Sequence, residues 1–309
     1  MILRLFSLFR VLRIRNADYS SENDVYISDS YFLELSGGEG AGVLCKNTNC
    51  NFIIERSFFF MCSSTQSSGG MLAAVLNSSM SSCCFYKCVA VDQSDAFMCS
   101  ATFSVADMIS VSMCPSTNAY SKSNSVGFTS STASIKSFNS SDNKQNSHGQ
   151  CITTQTTSSF ILRYFTFIRG DSVNGAAFNI HESATTYKFE YGVIANMTPR
   201  TSFGLVWTNT NCKNCLLTEC QFKSIYGSIG LTKAGSTASL AKYISCSFEN
   251  SALGGASTLS CVFGSISKTR YITHLKSWEC QNDQIVPSSM HNNIPKQVFF
   301  LFLLFSYCS

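Results

Sequence analysis

Sixteen cysteines are the residues here best equipped for chemistry, and their spacing decides what kind. Cys212, Cys215 and Cys220, in "CKNCLLTEC", put a C-x2-C pair beside a third thiol. That is half of a structural zinc site, and no second C-x2-C or paired histidine follows it, so no metal is expected. Asp92 and Asp95 are the one local pair of carboxylates that could share acid and base roles. Enzymes that cleave polysaccharides bring two or three carboxylates together, or carboxylates for calcium beside an Arg or Lys base. Asp29 and Glu219 keep a common repeat phase but stand several units apart, and His148, His181, His274 and His291 share no phase. The phosphate-cradling G-x-x-x-x-G-K-[ST], the zinc-protease H-E-x-x-H and the nucleophile-elbow G-x-S-x-G are missing from the sequence. Neither a catalytic constellation nor a cofactor is expected.

What would position these residues is a repeat. An aromatic or apolar residue preceding a loop recurs at Phe32, Phe59, Phe85, Val111, Phe138, Phe165, Tyr191, Phe222, Phe248 and Leu275. Successive anchors are spaced by 27, 26, 26, 27, 27, 26, 31, 26 and 27. Other residues keep the phase. Cys62, Cys88 and Cys114 lie three after their anchors, and Cys83, Cys220 and Cys246 two before theirs. Small pairs such as Gly69-Gly70, His148-Gly149 and Gly175-Ala176 fall ten and eleven after. Between the loops, short segments alternate apolar residues with Ser or Thr, the period-2 signature of half-buried strands. Parallel strands need a crossover of a dozen or more residues, and winding the chain around a three-sided coil supplies it without helices. The spacing therefore predicts an all-β right-handed parallel β-helix (a solenoid) of about nine to ten coils of ~26–27 residues. Residues 24–285 form it, 1–23 are a basic and apolar capping segment, and 286–309 are a linker and short apolar tail.

The words Phe248-Glu249-Asn250 with Gly254-Gly255-Ala256, and Asn174-Gly175-Ala176-Ala177-Phe178, carry a resemblance. They resemble the GGA[ILF] and F-x-N repeats of the polymorphic outer membrane protein family. More broadly, they are similar to right-handed β-helices of the pectin-lyase-like class. The likeness covers about residues 25–285 through architecture more than motif. It implies a surface-displayed, adhesin-like β-helix. Two departures stand out: there is no clear signal peptide and no C-terminal β-barrel translocator.

Composition points the same way. Charged residues make up 13% of the chain, about half the usual share, and serine is about one residue in six. The net charge of +4 is too small and too scattered for a nucleic-acid partner. Arg4 and Arg10 interrupt the apolar run of "MILRLFSLFRVLRIR", and "VFFLFLLF" is too short to span a bilayer, although it offers a route to membrane association.

Individual residues then acquire readings. Stacked in one phase, Cys62, Cys88 and Cys114 read as core thiols, and Cys220 and Cys246, on neighbouring coils, are the disulfide candidates. Asn77, Asn139 and Asn196 head N-x-[ST] sequons and are glycosylation candidates if the chain is secreted. Arg169-Gly170-Asp171 reads as part of a charge ladder, because Asp142 and Lys144 hold the same offsets one coil earlier with opposite charges. The longest unit, around Cys212, reads as a surface insertion. The expected function is non-catalytic: a surface or secreted interaction protein that takes glycans or host surface proteins. The alternatives are a carbohydrate-active β-helix enzyme and an intracellular repeat scaffold.

Overall fold

The computed structural model describes residues 3–4 and 17–263, apart from 93, 116–124, 149–150, 175–176, 181–185, 200–204, 209–211, 213, 226–231, 235–240 and 252–257. Its described elements are all strands, and the chain winds as a parallel β-helix. Long strands such as Met71–Tyr86, Phe97–Ser112, Val126–Ser141 and Ile152–Ile168 lie side by side in parallel register. Each winding runs along the long strand, turns a corner, makes a short strand such as Phe58–Phe60, turns again and returns.

The alternation seen in the sequence is the in–out pattern of these strands. Ile27, Ile54, Met80, Ala106, Ile135, Leu162, Phe189, Leu217 and Tyr243 form one inward column, winding by winding. All of them are buried, and each large apolar member contributes about 1.5–3 kcal/mol by leaving water. A second column begins with stacked rings: Phe59 lies 4.6 Å from Phe32 and 4.5 Å from Phe85, centroid to centroid. Phe222 and Phe248 repeat the stack at 4.8 Å.

The corners follow a rule that the anchor spacing does not reveal. Two residues five apart take left-handed φ in every one of these windings: Asp29 and Glu34, Arg56 and Met61, Ser82 and Lys87, through to Ser245 and Asn250, with φ from 44° to 61°. Left-handed φ is uncommon for residues other than glycine and costs of order 1 kcal/mol or more. Here it is held by neighbours. The N–H of Arg56 donates to the Ser81 carbonyl (2.9 Å), that of Met61 to the Tyr86 carbonyl (2.9 Å) and that of Lys87 to the Ser112 carbonyl (3.1 Å). The residue after a left-handed position turns inward, and six of these are Cys62, Cys83, Cys88, Cys114, Cys220 and Cys246, all buried.

Three expectations need correction. About seven turns are complete in the described chain, not nine to ten, because the windings beyond Pro199 are described in pieces. Thr258–Phe263 also returns early beside Lys242–Ser251, with Lys242 facing Thr258 well short of a full winding. The anchors slip as well. Val111 faces Ser140, whereas Phe138 faces Ile109, one inward position earlier on the same strand. Carried forward, that slip created the apparent long unit around Cys212. In the true register Ile194 faces Phe222, and that winding is shorter than the one from Val111 to Ser140.

Finally, the glycine pair at 69–70 is required by space, with no positive φ: a Cβ on Gly70 would sit 2.6 Å from the Ala96 carbonyl oxygen and 2.8 Å from the Phe85 ring. Gly254-Gly255, Leu275 and the 286–309 tail lie outside the described residues. The first winding begins with Ala17–Asp18 against Val43–Leu44, and Leu3–Arg4 pairs with Val25–Tyr26. Among the described residues no helix is long and apolar enough to cross a membrane.

Candidate functional site

Where the long strands bend, the register slips in two of their four pairings. It shifts between Asn47 and Asn51, and again between Ser130 and Thr132. Side chains diverge at the bend, and the windings from Thr48 to Thr157 leave an open groove of about 340 Å³ along the helix axis. Its lining is uncharged and made mostly of small side chains, hydroxyls and one amide mixed with Ala74, Val75 and Ala101. Ser100 faces Thr129, which faces Gln155, while Thr102, Ser131 and Thr157 carry hydroxyls along the bend. Ala74 and Ala101 keep the floor low. Hydrogen-bonding groups therefore recur in four of the five windings, at multiples of the strand spacing of about 4.8 Å, and the winding of Ala74 and Val75 is an apolar step.

An exposed column flanks the groove. Asn51 donates from Nδ2 to Asp24 Oδ1, and Asn77 donates in turn to Asn51 Oδ1, both at 2.8 Å. Phe103 continues the column opposite Asn77 and is 56% exposed, with Val105 beside it at 53%. Among the described residues these are the two most exposed large apolar side chains. Hydroxyls, an amide and an aromatic face, with no charge among them, suit an extended uncharged polar ligand lying along the axis.

The carboxylates do other work. Arg169 reaches Asp142 through two hydrogen bonds of 2.6 Å, which forms the first rung of the expected charge ladder, and Lys144 lies in register with Asp171. Asp142 is held below the usual carboxylate range by the hydrogen bonds from Arg169. Asp29 pairs with Arg56 at 2.7 and 2.8 Å, and Glu190 with Arg163 at 2.6 Å. Asp95, half of the one local carboxylate pair, is fully buried and accepts the Ala90 N–H at 3.0 Å. Among the described residues no group of three His, Cys, Asp or Glu could hold a metal ion. His181, His274 and His291 lie outside them.

Twelve described cysteines are buried thiols outside any disulfide, and Cys84 is disulfide-bonded. Cys62, Cys88 and Cys114 stack as expected, donating to the carbonyls of Phe32 (3.3 Å), Phe59 (3.7 Å) and Phe85 (3.8 Å) in the winding before. Cys220, just before the strand Gln221–Ile225, and Cys246, in the adjacent strand Lys242–Ser251, are free thiols. Burial pushes the Cys220 thiol well up, and its hydrogen bond to Cys246 lowers that of Cys246. Cys212 and Cys215 are both buried, with Cys215 turned inward opposite Tyr187.

The sequons separate. Asn196 is an exposed left-handed corner with φ 54°, and Asn77 is half-buried on the outer column. Asn139 is 4% exposed, which leaves its amide out of reach of a glycosyl donor in the folded chain. Sequence reading missed both the groove and the corner rule. Ser and Thr are too common here for a lined groove to stand out, and the left-handed residues range from Asp and Arg to Tyr and Met.

Comparison with protein-family models, curated proteins and solved structures returned no match.

Proposed function

We propose that the chain is a non-catalytic, surface or secreted interaction protein whose groove takes a neutral, extended glycan. The observation that carries this reading is the uncharged ladder of Ser100, Thr129 and Gln155, flanked by the exposed ring of Phe103. Sugars offer hydroxyls to such groups and an apolar ring face to an aromatic side chain, and loss of a single polar partner costs little when many recur. The likeness to polymorphic outer membrane protein repeats and to the pectin-lyase-like class supports the same reading. Its F-x-N word has a physical meaning here: Phe248 is a core anchor and Asn250 a left-handed corner.

The test is a glycan array probed with the full chain, with Thr129→Trp to fill the groove and Phe103→Ala to remove the platform. Neutral glycans should bind, Thr129→Trp should abolish the signal, and Phe103→Ala should weaken it about tenfold, a loss of about 1.4 kcal/mol. Signal confined to charged glycans, or unchanged by Thr129→Trp, would sink the proposal.

A further inference from the structure

Cys45 and Cys50 belong to one winding and meet inside it. Their Sγ atoms are 3.7 Å apart and both side chains are fully buried. The approach has a local cause. Val43 faces Met71 before the bend, and Asn51 faces Asn77 after it. Eight steps along the chain lead from Val43 to Asn51, but only six lead from Met71 to Asn77. The second winding thus spends two more residues on the bend than the third. They bulge within the strand Val43–Glu55, where Asn49 N–H donates to Asn47 Oδ1 (3.0 Å) and Asn47 Nδ2 to the Glu22 carbonyl (2.9 Å). The excursion returns the chain with Cys50 pointing back at Cys45. In the next winding Ala73 stands level with Cys45, so the arrangement is particular to this bend.

We propose that Cys45 and Cys50 form an intrachain disulfide when the chain folds under oxidising conditions, fastening the bend at the groove's first winding. Two S–H bonds break and one S–S bond forms. The two protons and two electrons pass to a disulfide oxidant, a small-molecule or enzyme disulfide, which leaves as two thiols. The sulfurs close from 3.7 Å to about 2.05 Å, a movement that falls to the bulged residues 46–49. Timing follows from chemistry. Burial pushes the Cys45 thiol up to about 12 and raises that of Cys50 as well, so little thiolate exists once the winding is covered. The bond must form while the winding is still open. The proposal stands apart from the glycan reading and from the native location of the chain.

Lys46 makes the test direct, because trypsin cuts between the two cysteines. The full chain is made once in the oxidising compartment of a heterologous host and once in a reducing cytosol. Each preparation is denatured, alkylated without reduction and digested. In the oxidised preparation the peptides ending at Lys46 and beginning at Asn47 should be joined through Cys45 and Cys50 and separate on reduction. Cys50→Ser should leave Cys45 open to alkylation; should that variant fail to fold, the wild-type map still decides. Both cysteines alkylated in the oxidised wild type, or either one joined to a different cysteine, would overturn the proposal.

Discussion

The ring of Phe165 lies where a side chain on Gly192 would begin: a Cβ at Gly192 would stand 2.0 Å from Phe165 Cζ. Phe165 fills this space because it follows the left-handed Tyr164, and Gly192 follows Tyr191 at the same corner one winding later. Bulk in one winding thus dictates its absence in the next. Gly192→Ala should destabilise the chain by about 1–3 kcal/mol through overpacking. Phe165→Leu should restore part of the loss, and a double-mutant cycle in urea would measure the coupling. Additive effects would mean that the two side chains do not share the space.

Phe59 is the middle ring of three, stacked on Phe32 and Phe85. Its truncation to alanine removes two ring contacts and opens a cavity, with an expected cost of about 3–5 kcal/mol. In a solenoid each winding contacts only its neighbours, so the loss should stay local. Hydrogen exchange should accelerate in residues 43–90 and stay near wild type in 187–225.

The Asp142–Arg169 pair links stability to pH. Arg169 lowers the Asp142 pKa in the folded state. Its contribution is therefore complete above the unfolded carboxylate value of about 4 and fades as pH falls through the folded value. Both groups meet solvent, so the worth is about 0.2–1 kcal/mol. Arg169→Ala should lower the melting temperature slightly at pH 7, and the difference from wild type should shrink at pH 2 or in 1 M salt.

Much of this architecture was legible in the sequence, for reasons tied to particular residues. Phe32, Phe59 and Phe85 face inward at one corner, so their spacing reports the winding, and the opposite charges of Asp142 and Arg169 reported their register. Legibility ended at Ser140. There the anchor position holds a buried serine whose hydroxyl accepts a hydrogen bond from Asn143 Nδ2 at 2.7 Å, while an aromatic sits two residues earlier. A rule that follows aromatics jumps to the wrong inward position at that point. The groove stayed hidden because it is set by where strands bend, and the slips at Asn47 and Ser130 leave no compositional mark.

Glycan occupancy should follow exposure. Protein recovered from the surface of its native cells by protease shaving should yield peptides from residues 25–285, with glycan on Asn196 and Asn77 and none on Asn139. A glycan on Asn77 would retain one N–H for its bond to Asn51, and would stand next to Phe103. Glycosidase treatment with mass spectrometry reads each site. Protection of the whole chain from shaving, with all three asparagines unmodified, would favour the intracellular scaffold.

The central claim is that a neutral glycan lies along the axis, with polar contacts in four of the five windings from Thr48 to Gln155 and an apolar step at Ala74 and Val75. Calorimetric titration with neutral oligosaccharides of rising length tests it most directly. Affinity should climb with length until the ligand spans five windings, roughly 20 Å, then level off, with no dependence on salt. Affinity independent of length, or carried by charged ligands and lost in salt, would contradict it.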